Sequence, residues 1–105
     1  SLVAACVVWL KSRGCFVWRN NTGASYFGGP GRPTRFVRFG PVGGADIFGM
    51  TPSGTFLAVE CKRAPNRPTE AQAFFLAQVR EHGGVAMWVT SLEELEQGFA
   101  ERKES

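Results

Sequence analysis

Two apolar segments joined by a turn constrain the fold of this chain more than any other feature. Residues 46–50 and 56–62 read as β-strands, and residues 51–54 between them include the Pro and Gly that turns favour. The chain has no internal repeat and no domain boundary, so we predict one domain over residues 1–105.

The N-terminal half is predicted to contain a helix, a strand and a long loop. Residues 2–13 read as a largely buried helix that Gly14 ends in a left-handed cap, and residues 16–19 read as a short strand. Residues 20–33 are rich in Gly, Asn and Pro and are predicted to be loop. Residues 34–39 have no cleanly apolar face, so they either extend this loop or form a brief strand.

The C-terminal half carries clear helix signals. Thr69 is predicted to cap a helix that runs to about His82, and an apolar strand over residues 85–90 follows it. Ser91 and Glu94 have the spacing of a capping box, which opens a final charged helix. The element order α-β-(β)-β-β-α-β-α predicts an α/β fold with a mixed sheet flanked by helices.

The net charge of +3 hides an asymmetry between the two halves. Residues 1–45 hold six Lys and Arg side chains and no acid, which gives +6, whereas residues 46–105 hold six basic and nine acidic side chains, which gives −3. A basic, acid-free half is typical of a protein that binds a polyanion, although a basic surface that only keeps the chain soluble would have the same composition. The six basic residues are Lys11, Arg13, Arg19, Arg32, Arg35 and Arg38.

Cysteine usage indicates the compartment. Cys6, Cys15 and Cys61 are odd in number and have no C-x-x-C spacing. This pattern argues against a disulfide framework or a zinc knuckle. It favours buried thiols in a reducing, cytoplasmic environment.

The longest apolar run and the tryptophans are assigned to the core. Residues 2–10 are too few to span a bilayer and no basic leader precedes them, so we expect neither a signal peptide nor a membrane span. Trp9, Trp18 and Trp88 are predicted to be core residues. Trp18 has a second interpretation, at the border of a DNA-binding surface.

Two acids and a lysine lie on the predicted hairpin strands. Asp46 opens the first strand, and Glu60 and Lys62 are two residues apart in the second, so their side chains point to the same face. Two carboxylates are enough to hold Mg²⁺ or Mn²⁺, and the backbone carbonyl of Cys61 offers a third oxygen. Such a cation neutralises a phosphodiester and lowers the pKa of a bound water, while Lys62 would position or deprotonate that water or stabilise the transition state. The alternative for Glu60 and Lys62 alone is a solvated edge with a cross-strand pair.

Five segments together resemble the motifs of the PD-(D/E)xK nucleases and, among these, the VRR-NUC domain, the virus-type replication-repair nuclease module. They are spread over nearly the whole chain: Trp18-Arg19-Asn20-Asn21-Thr22-Gly23, Gly43-Gly44-Ala45-Asp46-Ile47, Val59-Glu60-Cys61-Lys62, Thr69-Glu70-Ala71-Gln72 and Gly83-Gly84. Each segment alone is unspecific, and the combination is specific. The resemblance implies a restriction-endonuclease-like fold with an αβββαβ core and a metal-dependent DNA endonuclease activity.

The resemblance also implies roles for individual residues. Asp46 and Glu60 would ligate Mg²⁺ or Mn²⁺, and Lys62 would be catalytic. Gln72 would support the catalytic site from the following helix, although Thr69-x-x-Gln72 also has the spacing of a capping box. Standalone members resemble Holliday-junction resolvases that act as homodimers, so branched or four-way-junction DNA and a second copy of the chain are the expected partners.

Five residues of the basic half are the candidate DNA contacts. Arg19, Arg32, Arg35 and Arg38 are expected to contact phosphates, which gives affinity without sequence readout. Asn20 follows Arg19 in the first of the resembling segments and is assigned to the same surface.

The chain departs from the family pattern at two positions. Ala45 stands where the family has a proline, a residue that shapes the turn and carries no chemistry. The glutamate that the family places on its first helix falls at or just before Ser1, and residues 1–45 contain no carboxylate side chain. A glutamate upstream of Ser1 would complete the metal site. The alternatives are a non-catalytic DNA-binding module that retains the nuclease fold, and a protein that binds another polyanion such as RNA.

Overall fold

A computed structural model of the protein describes residues 1–20, 24–38 and 43–102, and for residues 24–27 and 35–38 it describes the backbone alone. Within these ranges the elements, in chain order, are α1 (Leu2–Ser12), β1 (Phe16–Arg19), β2 (Ala24–Gly29), β3 (Arg32–Arg38), β4 (Ile47–Met50), β5 (Phe56–Cys61), α2 (Glu70–Glu81), β6 (Val85–Val89) and α3 (Leu92–Arg102). None of the helices described is long and apolar enough to cross a membrane.

Four strands form a mixed sheet in the order β1-β4-β5-β6. Strands β1 and β5 run antiparallel to β4, whereas β6 runs parallel to β5. A parallel pair needs a crossover connection, and α2 supplies it. The predicted α/β fold, with a mixed sheet flanked by helices, is therefore confirmed.

Alternating side chains give this sheet two different faces. Helices α1 and α3 cover one face, called the α1/α3 face, and α2 covers the other, called the α2 face. The core of the α1/α3 face consists of Cys6, Leu10, Cys15, Val17, Ile47, Leu57, Val59, Val85, Val89 and Leu95, and that of the α2 face of Ala45, Ala58, Leu76 and Ala86. Because a single helix covers the α2 face, part of this face stays open to solvent, as the exposure of Phe16, Trp18 and Phe56 shows.

Capping interactions begin α2 and α3 where the sequence predicts them. The Thr69 hydroxyl accepts a hydrogen bond from the Gln72 N–H, and the Gln72 side chain accepts one from the Thr69 N–H, so the capping box of α2 is complete. At α3 the Ser91 hydroxyl accepts from the Glu94 N–H as predicted. The Glu94 carboxylate, however, accepts from the Thr90 N–H at 2.6 Å and also from the Thr90 hydroxyl.

The prediction that residues 20–33 are loop is wrong for most of this segment. Strands β2 and β3 pair antiparallel as a separate two-stranded sheet, with Pro30 and Gly31 between them. Gly31 has φ 74°, a left-handed conformation that glycine adopts without strain. Cross-strand pairing is a non-local interaction that composition does not report. The pairing with β2 shows that residues 34–38 form a strand, which is one of their two predicted alternatives. The parts of the two predicted segments at residues 21–23 and 39 lie outside the described ranges.

Two of the three tryptophans predicted for the core are exposed. Trp9 is half-buried and packs edge-on against Phe99, with ring centroids 5.5 Å apart. Trp18 on β1 is 45% exposed and Trp88 on β6 is 37% exposed. Both lie on edge strands and face the α2 side, which a single helix covers.

Candidate active site

The two carboxylates and the lysine come together at one end of the sheet. Asp46 immediately precedes β4, Glu60 lies near the end of β5, and Lys62 follows β5. The Asp46 carbonyl accepts a hydrogen bond from the Asn20 N–H at 2.7 Å, and Glu60 pairs with Trp88 of β6. Asn20, Asp46, Glu60 and Trp88 therefore form a row across the four strands on the α2 face.

Backbone groups of the neighbouring strands hold Asp46 in place. One of its carboxylate oxygens, Oδ2, accepts a hydrogen bond from the Cys61 N–H at 2.9 Å. The Asn20 side chain donates from Nδ2 to the carbonyl of Ala45, which is 1% exposed, at 3.1 Å. Asn20, predicted as a DNA contact, thus binds the segment that carries Asp46.

Glu60 is a buried carboxylate with three polar neighbours. Only 4% of the residue is exposed. Its Oε2 accepts a hydrogen bond from Gln72 Nε2 at 3.1 Å and lies 3.4 Å from Lys62 Nζ. Burial and, next, the charge of Asp46 raise the pKa of Glu60 from its ordinary value of 4.5 to about 7, against the opposing effect of Lys62. Near neutral pH, Glu60 therefore exchanges a proton easily.

Lys62 reaches Glu60 although β5 ends one residue earlier. Its N–H donates to the Val89 carbonyl at 2.9 Å, which continues the parallel ladder and keeps Lys62 on the side of Glu60. Cys61, between them, points to the α1/α3 face, where its thiol lies 4.0 Å from the Cys6 sulfur. The hydrogen bond with Cys6, burial and the nearby carboxylates raise the pKa of the Cys61 thiol. Cys61 thus offers backbone atoms, and not a thiolate, to the candidate site.

Gln72 connects the first turn of α2 to the site. Its side-chain oxygen accepts from the Thr69 N–H at 2.9 Å, and its amide nitrogen donates to Glu60. The capping contact and the contact with Glu60 therefore exist together, because the oxygen of the Gln72 amide makes the first and the nitrogen makes the second.

Thr69→Ala and Gln72→Ala are expected to separate the capping role of Gln72 from its contact with Glu60. Ala at position 69 keeps the backbone N–H that Gln72 binds, so this variant loses one capping bond and about 1 kcal/mol of unfolding free energy. Gln72→Ala also leaves Glu60 without its amide donor, so we expect a further loss of about 1 kcal/mol. Denaturant unfolding of both variants measures the difference, and equal losses would contradict the second role.

The segment leading to Asp46 passes close over α2. A Cβ at Gly43 would lie 2.5 Å from the Ala71 carbonyl oxygen, and Gly43 has φ 77°. Glycine is therefore required there for two independent reasons. Sequence reasoning missed this close packing, which fixes the approach of the chain to Asp46.

The candidate DNA contacts fall in two places. Arg19 is exposed at the end of β1, in register with Ile47, and Asn20 follows it. Arg32 is exposed at the start of β3, and Arg35 and Arg38 lie further along the same strand. Asn20 thus lies beside the acids on the α2 face, whereas Arg19 is on the α1/α3 side because it is in register with Ile47. The other three arginines are on the β2–β3 hairpin.

Sequence reasoning also missed a tryptophan next to Glu60 and an arginine that contacts its ring. Trp88 is the cross-strand partner of Glu60, and the Arg67 guanidinium lies 5.8 Å from the centre of the Trp88 ring. The run Val-Ala-Met-Trp-Val of β6 reads as uniformly buried, so the local sequence contains no signal that the tryptophan is exposed. Its exposure depends on the edge position of β6, which is a property of the topology.

The carboxylates have the chemistry of a site for a small divalent cation. Among the residues described, no group of three or more Asp, Glu, His and Cys side chains could share a metal ion. Mg²⁺ nevertheless needs only one or two carboxylates, because it keeps several of its waters. The charge of Asp46 raises the pKa of Glu60, so the two carboxylates repel each other, and a cation held by both would relieve that repulsion.

No protein-family model matches the sequence, and no curated protein matches it. The function of the site therefore has to be inferred from its geometry and chemistry.

Proposed function

We propose that this protein is a metal-dependent DNA endonuclease of the VRR-NUC type, which hydrolyses phosphodiester bonds. The observation that carries this proposal is the buried Glu60 carboxylate, placed beside Asp46 and 3.4 Å from the Lys62 ammonium. A buried acid with a strongly raised pKa and a specific charged partner is typical of functional sites.

In this proposal Asp46 and Glu60 hold Mg²⁺ or Mn²⁺, with the backbone carbonyl of Cys61 as a further oxygen. When bound, the cation neutralises the phosphodiester and lowers the pKa of a bound water. Gln72 fixes the orientation of the Glu60 carboxylate through its amide hydrogen bond. Lys62 positions the attacking water or stabilises the negative charge of the transition state, because its ammonium is already held at the metal-binding carboxylate.

The order of elements supports a restriction-endonuclease-like arrangement. Without the β2–β3 hairpin, the chain runs α1, β1, β4, β5, α2 and β6, which is the αβββαβ order of that fold. The departure at Ala45 is compatible with the proposal, since this residue is buried and its carbonyl accepts the Asn20 side chain. The segment before Asp46 is thus held in place without a proline.

A cleavage assay tests the proposal. The purified protein should cut four-way-junction or branched DNA with Mg²⁺ or Mn²⁺, and a chelator should stop the reaction. Lack of cleavage with either metal would count against an endonuclease.

A non-catalytic DNA-binding module is the second candidate, favoured by the absence of a third carboxylate at the site within the described ranges. Calorimetric titration with Mn²⁺ discriminates between the two. Metal uptake that is lost in Asp46→Asn and Glu60→Gln supports the nuclease. Retained DNA binding with no such uptake supports the module.

We further propose that the protein acts as a homodimer, which would set two active sites against the two strands of a junction. Sedimentation of the free protein and of its junction complex tests this. A single copy bound to each junction would contradict it.

Neutralising the hairpin arginines is expected to reduce the salt dependence of DNA binding. Residues 24–38 contain Arg32, Arg35 and Arg38 and no acid. Each phosphate contact contributes about 0.9 to the slope of log K against log salt on duplex DNA, so changing all three to Gln should lower the slope by about 3. The slope is measured from the binding of junction DNA without metal at several salt concentrations. The control variant has Lys11 and Arg13 changed to Gln. If its slope falls by the same amount for each charge removed, a specific role for the hairpin is contradicted.

A further inference from the structure

Trp88 lies beside the proposed active site and is partly exposed to solvent. It is the β6 partner of Glu60, and neighbouring strands are about 4.8 Å apart. Both side chains are on the α2 face, yet Glu60 is 4% exposed and Trp88 is 37% exposed. The structure thus combines a buried carboxylate with an adjacent, open aromatic surface.

Arg67 adds a second planar group to this surface. It is exposed, lies in the segment between β5 and α2, and its guanidinium is 5.8 Å from the centre of the Trp88 ring. Indole rings and guanidinium planes are among the groups on which proteins stack unpaired bases, and a guanidinium also binds phosphate. Because Arg67 is on the surface, its side chain can move from the Trp88 ring to a phosphate, and a planar nucleobase can then take its place on the ring.

A tryptophan with an arginine over its ring is not a binding site in itself. Trp9 has the same arrangement, with the Arg13 guanidinium 5.7 Å from its ring centre. That ring packs against Phe99 in the larger core, on the opposite side of the sheet from the carboxylates. The position of Trp88 next to Glu60 is what distinguishes the second pair.

We propose that Trp88 and Arg67 form a stacking subsite for one unpaired nucleobase next to the phosphodiester that is cleaved. The inference rests on the proposed nuclease function and assigns its substrate class. Within a duplex both faces of a base are covered by its neighbours, so only a base outside the stack can lie on the indole ring. The substrate that fits carries an unpaired nucleotide beside the scissile bond, as at a flap, a gap or the open centre of a junction.

Binding of single-stranded DNA with and without bases tests the subsite. The two probes are a thymidine oligonucleotide of about 16 nucleotides and an abasic one of equal length, which has the same charge. Without metal, the wild-type protein should bind the thymidine probe roughly 5- to 100-fold more tightly, the range expected for one stacked base. Trp88→Ala should bind both probes with the wild-type affinity for the abasic probe.

Two variants serve as controls. Trp88→Phe keeps an aromatic ring and should retain most of the preference for bases. Phe74→Ala removes an exposed aromatic side chain of α2 and should leave the preference unchanged. Unchanged affinity of Trp88→Ala for the abasic probe shows that this variant is folded. If Trp88→Ala keeps the wild-type preference, or if a second protein copy and not DNA covers Trp88 in a cross-linking experiment, the subsite is wrong.

Cleavage distinguishes this inference from the proposed function. The substrates are a duplex with one unpaired nucleotide and the same duplex with that nucleotide abasic, each with Mg²⁺. Cleavage that depends on the base in wild type but not in Trp88→Ala supports both proposals. Cleavage without such dependence refutes the subsite alone. Base-dependent binding without cleavage refutes the nuclease alone, and the absence of both refutes both.

Discussion

Replacing Lys62 by Ala is expected to lower the cleavage rate of bound DNA by roughly 10²- to 10⁴-fold, the usual contribution of a positioned proton donor or acceptor. The Lys62 ammonium is 3.4 Å from Glu60 Oε2, and 18% of the Lys62 side chain is exposed. It can therefore reach both the carboxylate and a substrate that approaches from solvent. The single-turnover rate on junction DNA with saturating Mg²⁺ measures the loss of chemistry separately from binding.

Arg63 provides a matched control for this experiment. It is the next residue, it is exposed, and Arg63→Ala removes the same charge from the next position in the chain. Weaker DNA binding is expected for both variants, and a large loss of single-turnover rate only for Lys62→Ala. Equal rates for the two variants would show that Lys62 acts through its charge alone.

Replacing Glu60 by Gln is expected to abolish metal-dependent cleavage and yet to stabilise the metal-free protein at alkaline pH. The folded protein keeps the Glu60 proton up to about pH 7, whereas the unfolded chain releases it above 4.5. This proton contributes stability that is fully present below pH 4.5 and is lost as the pH rises through 7. The loss amounts to about 3 kcal/mol for the wild type at about pH 8. Gln has no proton to lose and can still accept the Gln72 amide hydrogen bond.

Denaturant unfolding at two pH values measures this effect. The unfolding free energy of Glu60→Gln should exceed that of the wild type by about 2 kcal/mol at about pH 8. This gain is smaller than the stability that the wild type loses through deprotonation of Glu60, because the variant also loses the ion pair with Lys62. The gain should fall below about 1 kcal/mol at about pH 5. Glu96→Gln, an exposed residue of α3, is the control and should change neither value. A gain that is equal at both pH values would contradict a raised pKa of Glu60.

Metal should reverse the order of stability of these two proteins. Mn²⁺ bound to the folded wild type stabilises it in proportion to the logarithm of the metal concentration above Kd. Glu60→Gln has lost a carboxylate ligand and should gain little. In the proposed nuclease, Glu60 would therefore lower the stability of the metal-free protein and be required for the activity of the metal-bound protein, as is common for active-site groups.

Local signals predict the helices and the central hairpin because the residues that make them are adjacent in sequence. Gly14 follows α1 with φ 87°, and the Thr69–Gln72 capping box starts α2. Pairing between β2 and β3 could not be predicted in this way. Gly and Pro favour turns on average, but here only Pro30 and Gly31 occupy the connection, and Gly28, Gly29 and Pro33 lie within the two strands.

The candidate site was predicted in its residue types but not in its electrostatics. The spacing of Glu60 and Lys62 is enough to place them on one face. The hydrogen bond from the Cys61 N–H to Asp46 and the burial of Glu60 depend on how β4, β5 and α2 pack, which no local pattern records. Exposure of Trp88 likewise follows from the position of β6 at the edge of the sheet.

The β2–β3 hairpin has a consequence for how proteins of this design could diversify. Its strands pair with each other in a sheet of their own, and the four-stranded sheet carries the carboxylates without a described contribution from either. If the hairpin arginines bind DNA as proposed, a change in the length or charge of this arm would alter DNA binding without touching the carboxylates. Hairpins of other lengths, grafted between β1 and β4, would then show whether the arm selects the substrate of the proposed nuclease.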